Sequence, residues 1–353
     1  MILRHRGCSW GAGVCEGAWV RVCAVSGVRL RRGYASGGGM CPMHARAYEK
    51  LGLMTFRGDV HKEGNYARRG GGGRGPMVAA GGGIGTLLIV GLFLLMGGNP
   101  GDLGGILGEQ GQLPPGQNAQ SGEEGGGLDH CQTGEDANKY ADCRVEFTGI
   151  SVNNLWEELL PAQAGIDYTP PGLVVFDGAT NTGCGMAQSA TGPFYCPADS
   201  TAYFDTSFFQ QLRQLGGVDA PLAESYIVAH EFGHHVQNLE GTLGLSNYND
   251  PGADSNAVKI ETQADCYAGV WAHHADNGPD AMLEPITEDQ VRTALATVRS
   301  VGDDNIQERS SGHVRPDQWT HGSSDMREQA FLAGYNSGKM SSCDFLERGQ
   351  YRD

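Results

Sequence analysis

The sequence predicts an α+β domain, mainly helical with a small antiparallel sheet, preceded by one transmembrane helix. Three observations predict it. Stretches at 223–239, 255–274 and 287–301 read as helices with recognisable starts and stops. Apolar runs at Gly172–Phe176 and Thr201–Phe204, set among turn residues, read as strands. One uncharged apolar run, 76–98, stands apart from both.

From the N-terminus, residues 1–53 carry four cysteines, scattered arginines and no period. They read as a disordered tail or as translation from upstream of the true start, with Met54 a plausible initiator. Residues 54–75 form a basic, Gly-rich segment, expected to be cytoplasmic. The run at 76–98 is long enough to cross a hydrocarbon core at about 1.5 Å per residue. Residues 1–100 hold 13 Lys+Arg against 4 Asp+Glu, and the remainder 12 against 37. Positive residues before the run and acidic ones after it place the N-terminus in the cytoplasm. The expected location is therefore the cell membrane, single-pass, with residues 128–353 extracytoplasmic. A cleaved signal peptide and a buried soluble helix are the alternatives; no small-x-small cleavage pattern follows Met96. Residues 99–127 are a Gly/Pro-rich linker with too little apolar surface to pack. The acidic body argues against nucleic acid as a partner, since it would repel phosphates.

The body, 128–353, is long enough for one sizeable core. A helix is expected at Val152–Leu160, and Gly183–Pro197 reads as loop or hairpin. Ser207–Leu215 reads as a helix, and so does Ala223–Leu239, entered after Pro221. Ser255–His274 follows, stopped by Gly278 and Pro279. Thr287 and Gln290 stand at capping-box spacing, and a last helix lies near Met326–Tyr335. Six cysteines, Cys131, Cys143, Cys184, Cys196, Cys266 and Cys343, suggest disulfides in an exported domain. Of the 15 possible pairings, Cys131–Cys143, Cys184–Cys196 and Cys266–Cys343 is preferred, because two of these close short loops.

The chemistry concentrates in IVAHEFGHHVQ at 227–237. It contains His-Glu-x-x-His at His230, Glu231 and His234. Positions four apart share a helix face, so both imidazoles can reach one metal ion. Glu231 is turned about 100° from His230, beside the ion, where it can take a proton from water. Catalytic zinc needs a third protein ligand and an open position. Downstream, in KIETQADCYAGVW, Glu261 and Asp265 stand four apart among apolar neighbours, an odd place for solvated charge. Glu261 is the candidate third ligand. Asp265 can accept the outward N–H of a liganding histidine and fix its tautomer.

These residues and several flanking stretches resemble the bacterial putative neutral zinc metallopeptidases, proteins with one N-terminal span and a thermolysin-like (gluzincin) motif. The matching stretches are MTFRGD at 54–59, TGCGMAQSATGPFYCPADSTAYFD at 182–205, AESYIVAHEFGHHVQ at 223–237, ETQADCYAGVWA at 261–272, VGDDNIQ at 301–307 and THGSSDMREQAFLAGYNSG at 320–338. The resemblance implies a zincin-like fold and one Zn²⁺ held by His230, His234 and Glu261. It also implies Glu231 as general base, Asp265 behind the ligands, and a peptide or protein substrate.

Other histidines are weaker candidates. His321, in WTHGSSD, is placed to steady an oxyanion or simply to cap a loop. His235 points about 100° away from His234 and reads as structural or solvent-facing. His273 and His274 suit the dipole at a helix end. Cys266 reads as a disulfide partner rather than a nucleophile. The function expected is a membrane-anchored zinc endopeptidase. Its rivals are a tethered binding or assembly module, with a structural zinc closed by His235 or His321, and a metal-free adhesin. Oligomeric state is not encoded in any pattern here.

Overall fold

Local chemistry sets each element of the fold in the computed structural model. It describes residues 55–70, 127–189, 192–212, 216–218, 220–279 and 281–352. All of these belong to one structural unit, Leu53–Asp353. A two-residue strand β1 (Arg68–Arg69) comes first. Thr133 then opens α1 (Gly134–Lys139) with a capping box closed by Asp136. Helix α2 (Ala141–Ala164) ends at Gly165, whose φ of 71° suits a residue without a Cβ. It is far longer than the expected 152–160, because its first half buries polar side chains and shows no apolar stripe. Strands β2 (Gly172–Phe176), β3 (Ala179–Thr182), β4 (Gly185–Gln188), β5 (Phe194–Cys196) and β6 (Thr201–Asp205) follow, then the short α3 (Ser207–Leu212).

The second half is helical. Helix α4 (Pro221–Leu239) begins with proline at its first position, where a missing N–H costs nothing. Helix α5 (Asn256–His274) is capped by the Ser255 side chain, and α6 (Glu288–Ser300) by the Thr287–Gln290 box read from the sequence. Helices α7 (Asp303–Ser311) and α8 (Ser324–Ser337) complete the order, α8 stopping at Gly338 with φ 63°.

The main sheet has the order β1-β2-β6-β5. It is mixed, not antiparallel as expected: β1 pairs parallel with β2, β2 parallel with β6, and only β5 with β6 is antiparallel. The β3–β4 hairpin and β5 carry the chain back across the sheet, so β6 enters in the direction of β2. Such crossovers leave no periodic trace, although the continuous apolar run of β2 is what buried parallel strands show. The disulfides are Cys131–Cys143, Cys184–Cys196 and Cys266–Cys343, with Cα separations of 5.1, 5.8 and 5.5 Å.

The expected transmembrane helix and the single-pass cell-membrane location are overturned. Among the described residues no helix is long and apolar enough to cross a membrane. The run at 76–98 lies outside the described residues, as do the tail at 1–53 and nearly all of the 99–127 linker. The physical reason is the packing of residues 55–70, which would have to sit across the membrane from the body. Phe56 is fully buried, its ring edge-on to Phe147 of α2 at 6.0 Å. Asn138 accepts the Thr55 and Phe56 amides at 2.9 Å each. Lys62 donates to Glu146 of α2 at 2.5 Å, both side chains out of solvent. Segments that share a core cannot lie on opposite faces of a bilayer.

Two close helix approaches place the functional residues. A Cβ at Gly233 of α4 would stand 3.1 Å from the Cα and carbonyl oxygen of Ala264 in α5. A Cβ at Gly269 of α5 would overlap the Phe331 carbonyl of α8, and one at Gly334 of α8 the Cys266 carbonyl. These glycines draw α4, α5 and α8 together around buried Tyr226, Phe232, Tyr267 and Phe331.

Candidate metal centre

His230 and His234 lie one turn apart on α4, their ring centroids 4.8 Å apart. Helix α5 brings Glu261 against them. Its Oε2 lies 3.4 Å from His230 Nε2 and 3.6 Å from His234 Nε2. The three donor atoms all fall within 4.8 Å of one another, and all three side chains are buried. Metal–ligand bonds of about 2.0–2.1 Å put the donors of a tetrahedral ion about 3.3–3.4 Å apart. Two nitrogens and one carboxylate oxygen, the oxygen 3.4 and 3.6 Å from the nitrogens, fit such an ion and leave a position free.

Each imidazole is fixed from behind. His230 Nδ1 is 2.9 Å from Asp265 Oδ1, as its place on the α5 face suggests. His234 Nδ1 is 2.8 Å from Gln237 Oε1. With the outer nitrogens engaged, both Nε2 atoms face Glu261. Asp265 also accepts the Tyr226 hydroxyl at 2.5 Å and Arg327 Nε and a terminal guanidinium nitrogen at 2.7 and 2.9 Å. Burial would raise its pKa, but Arg327 and His230 hold it down at about 2. Burial would lower His230, yet Asp265 and Glu261 push it up to about 10. Glu261 sits well below the usual carboxylate range, because His234, His321 and His230 outweigh its burial.

Glu231 is buried beside His230, and burial pushes its carboxyl upward. His230, His234 and the Tyr195 backbone oppose that rise. A carboxylate whose proton affinity is raised by burial is suited to accepting a proton. Two further groups act on Glu261. The Tyr248 hydroxyl donates to Glu261 Oε1 at 3.0 Å. His321 is buried with Nδ1 3.2 Å from Asp303 Oδ1, and Glu261 is among the charges that raise its pKa against burial. Asp303 also accepts the backbone amides of Thr320, His321 and Gly322 at 2.8, 2.7 and 3.1 Å, which fixes the loop bearing His321.

His230, Glu231, His234, Glu261, Asp265 and His321 are therefore brought together. The remaining candidates are not. His235 engages the Tyr195 hydroxyl and the Thr169 carbonyl with its two nitrogens, at 2.9 and 2.6 Å. His273 and His274 bond the carbonyls of Tyr335 and Gly338. Cys266 is oxidised in its disulfide. A second group, His130, Cys131, Asp142 and Cys143, has metal-like spacing. Its two sulfurs are bonded to each other and offer no thiolate.

Sequence reasoning missed Tyr248, Gln237, Arg327 and Asp303. Gln237 was within reach, since it stands three residues after His234 on one helix face. Tyr248 comes from an irregular loop, and Arg327 and Asp303 from distant helices, so no spacing announces them.

A family model described as "Putative neutral zinc metallopeptidase" matches residues 56–346. Uncharacterized proteins of Mycobacterium bovis and Mycobacterium tuberculosis (strain H37Rv) are each 46% identical over 249 residues, covering 69% of this chain and 82% of the relative. The uncharacterized protein YpfJ of Escherichia coli K12 is 39% identical over 211 residues, covering 58% of this chain and 71% of its own. No solved structure matches.

Proposed function

We propose, from the premise that the chain belongs to the putative neutral zinc metallopeptidase family, that it is a zinc-dependent endopeptidase. The observation that carries this reading is the converging face of His230 Nε2, His234 Nε2 and Glu261 Oε2, with Glu231 on the same helix beside it. His230, His234 and Glu261 would hold the ion named in the family's description. Zinc, when bound, would supply Lewis acidity to the scissile carbonyl and ease deprotonation of the attacking water.

The chain's own residues would do the rest. The Glu231 carboxylate accepts the proton of the attacking water and returns it to the leaving amine. Asp265 and Gln237 would hold the two imidazoles by their outer nitrogens, so that each turns a lone pair inward once zinc has displaced the proton of His230. The Tyr248 hydroxyl, once turned from Glu261, and the His321 ring, whose charge is coupled to Glu261, would be the donors to a developing oxyanion. Against a closed structural site, His235 has no nitrogen left for a metal.

Purified full-length chain, its metal content measured, should cleave unfolded casein. It should lose that activity to a chelator and regain it with added zinc. Protein with no bound zinc, or cleavage indifferent to the chelator, would sink the proposal.

A further inference from the structure

We infer that Gln237 and Gln263 are positioning residues, and that the C-terminal turn dictates through their side-chain amides which nitrogen of His234 carries the proton. The inference rests on reading His234 as a metal ligand. The two liganding histidines are oriented by different means. Behind His230 stands Asp265, an ionised carboxylate that can only accept, whichever way it turns. Behind His234 stands an amide, which can present either oxygen or nitrogen. Something else must fix its sense.

The fixing runs outward in two steps. The Gln237 amide nitrogen has two hydrogens and two acceptors, the Ile260 carbonyl at 2.7 Å and Gln263 Oε1 at 3.0 Å. With both hydrogens engaged, only its oxygen is left for His234. That oxygen cannot donate, so Nδ1 carries the hydrogen and Nε2 keeps its lone pair. Gln263 is fixed in the same manner. Its amide nitrogen meets the Cys343 carbonyl at 3.0 Å and the Tyr351 hydroxyl at 3.3 Å. The Cys343 carbonyl has nothing to donate, so the nitrogen must face it. If Gln263 turned over, its nitrogen would confront the Gln237 nitrogen, donor against donor. Turning Gln237 as well would relieve that clash only by setting its oxygen against the Ile260 carbonyl, and would offer N–H to His234 Nδ1, leaving the hydrogen on Nε2, where it blocks a metal.

The anchor of the chain is the C-terminal turn. Cys343 is tied by its disulfide to Cys266, one helical turn beyond Gln263 on α5. The Tyr351 hydroxyl is held 2.7 Å from that of Tyr267. Both glutamines are fully buried, so an unpaired amide hydrogen there would be costly.

The test uses the full chain and the variants Gln263→Leu and Gln263→Glu. In metal-free protein, imidazole ¹⁵N–¹H correlation spectra, with His234 assigned by its loss in His234→Ala, should show Nδ1–H in the wild type. Gln263→Leu removes one of the two acceptors that fix Gln237 and leaves only the Ile260 carbonyl, so part of the hydrogen should move to Nε2. Zinc affinity, measured by competition with a chromogenic chelator, should weaken about tenfold or more, in the range for groups behind metal ligands. Gln263→Glu, kept protonated by its burial, accepts from Gln237 as before and donates its hydroxyl to the Cys343 carbonyl, so it should keep the wild-type tautomer with affinity within about threefold. A packing role alone gives the opposite order, because a buried carboxyl group disturbs more than leucine. Equal tautomer and affinity in Gln263→Leu and wild type would overturn the inference, as would a Gln263→Glu variant that behaves like leucine. If either variant does not fold, wild-type protein still decides, since Nε2–H there overturns it. Failure of wild type to bind zinc would overturn the functional reading instead, leaving the tautomer to judge this inference.

Discussion

The Arg327 guanidinium grips both carboxylate oxygens of Asp265, Nε at 2.7 Å from Oδ2 and a terminal nitrogen at 2.9 Å from Oδ1. Neither side chain is accessible to water. The pair ties α8 to α5 directly behind His230. Removing the cation leaves a buried carboxylate without its partner, a loss of about 3–5 kcal/mol. Arg327→Met should therefore unfold at much lower denaturant and bind zinc more weakly. Arg327→Lys should recover only part of both, because an ammonium cannot span two oxygens. Denaturant titration with zinc competition measures the pair, and a fully wild-type lysine variant would remove the role given to the fork.

Glu231→Gln is nearly isosteric and leaves the donor atoms of His230, His234 and Glu261 untouched. It should retain one equivalent of zinc and lose about 10²–10⁴-fold in kcat, the range for a proton-transfer group. Steady-state casein hydrolysis beside metal analysis checks both halves. Retained turnover would assign the base elsewhere.

How much of this was legible follows the range of the interactions. The pairs His230/His234 and Glu261/Asp265 are each four residues apart, and helical geometry alone faces them one way. The Thr287–Gln290 box and β2 were equally local. The first half of α2 was hidden because Arg144 and Glu146 are buried polar residues, paired with Glu224 and Lys62 at distances no pattern records. That hidden pairing also explains the membrane error. The apolar run speaks only through its own composition, while Phe56 and Lys62 belong to the body's core through long-range contacts.

The helix approach through Gly334 should tolerate no side chain. Its Cβ would overlap the Cys266 carbonyl, and the obstacle is backbone rather than a side chain that can swing away. Gly334→Ala should cost about 1–3 kcal/mol or more by overpacking. Parting α8 from α5 also draws Arg327 off Asp265, so zinc affinity should fall with stability. Gly278, with open space around it, is the control for glycine loss, though its φ of 92° makes Gly278→Asn the better choice. Equal melting temperatures for Gly334→Ala and wild type would show that the helices have room to spare.

Zinc and protons should compete for His230. With its pKa pushed up to about 10, the metal-free imidazole is charged at neutral pH, and zinc must displace a proton. Apparent zinc affinity should then rise roughly tenfold per pH unit between about pH 7 and 9, the mark of one released proton. Competition titrations at several pH values give the slope. A flat profile would mean that His230 is already neutral before zinc arrives.

Glu240, at the end of α4, accepts the Tyr267 hydroxyl at 3.0 and 3.1 Å, and burial raises its pKa above 4.5 in the folded chain. The folded state therefore holds this proton more tightly than the unfolded state does. Its contribution to stability is complete below pH 4.5 and is lost as pH rises through the elevated folded value. Glutamine keeps an acceptor for Tyr267 and removes the titration. Glu240→Gln should thus gain stability relative to wild type as pH rises from 4.5 to 8, with the two curves meeting at the acid end. Denaturant midpoints across that range measure the difference. A gap that stays constant with pH would mean that the folded and unfolded chains hold this proton equally well.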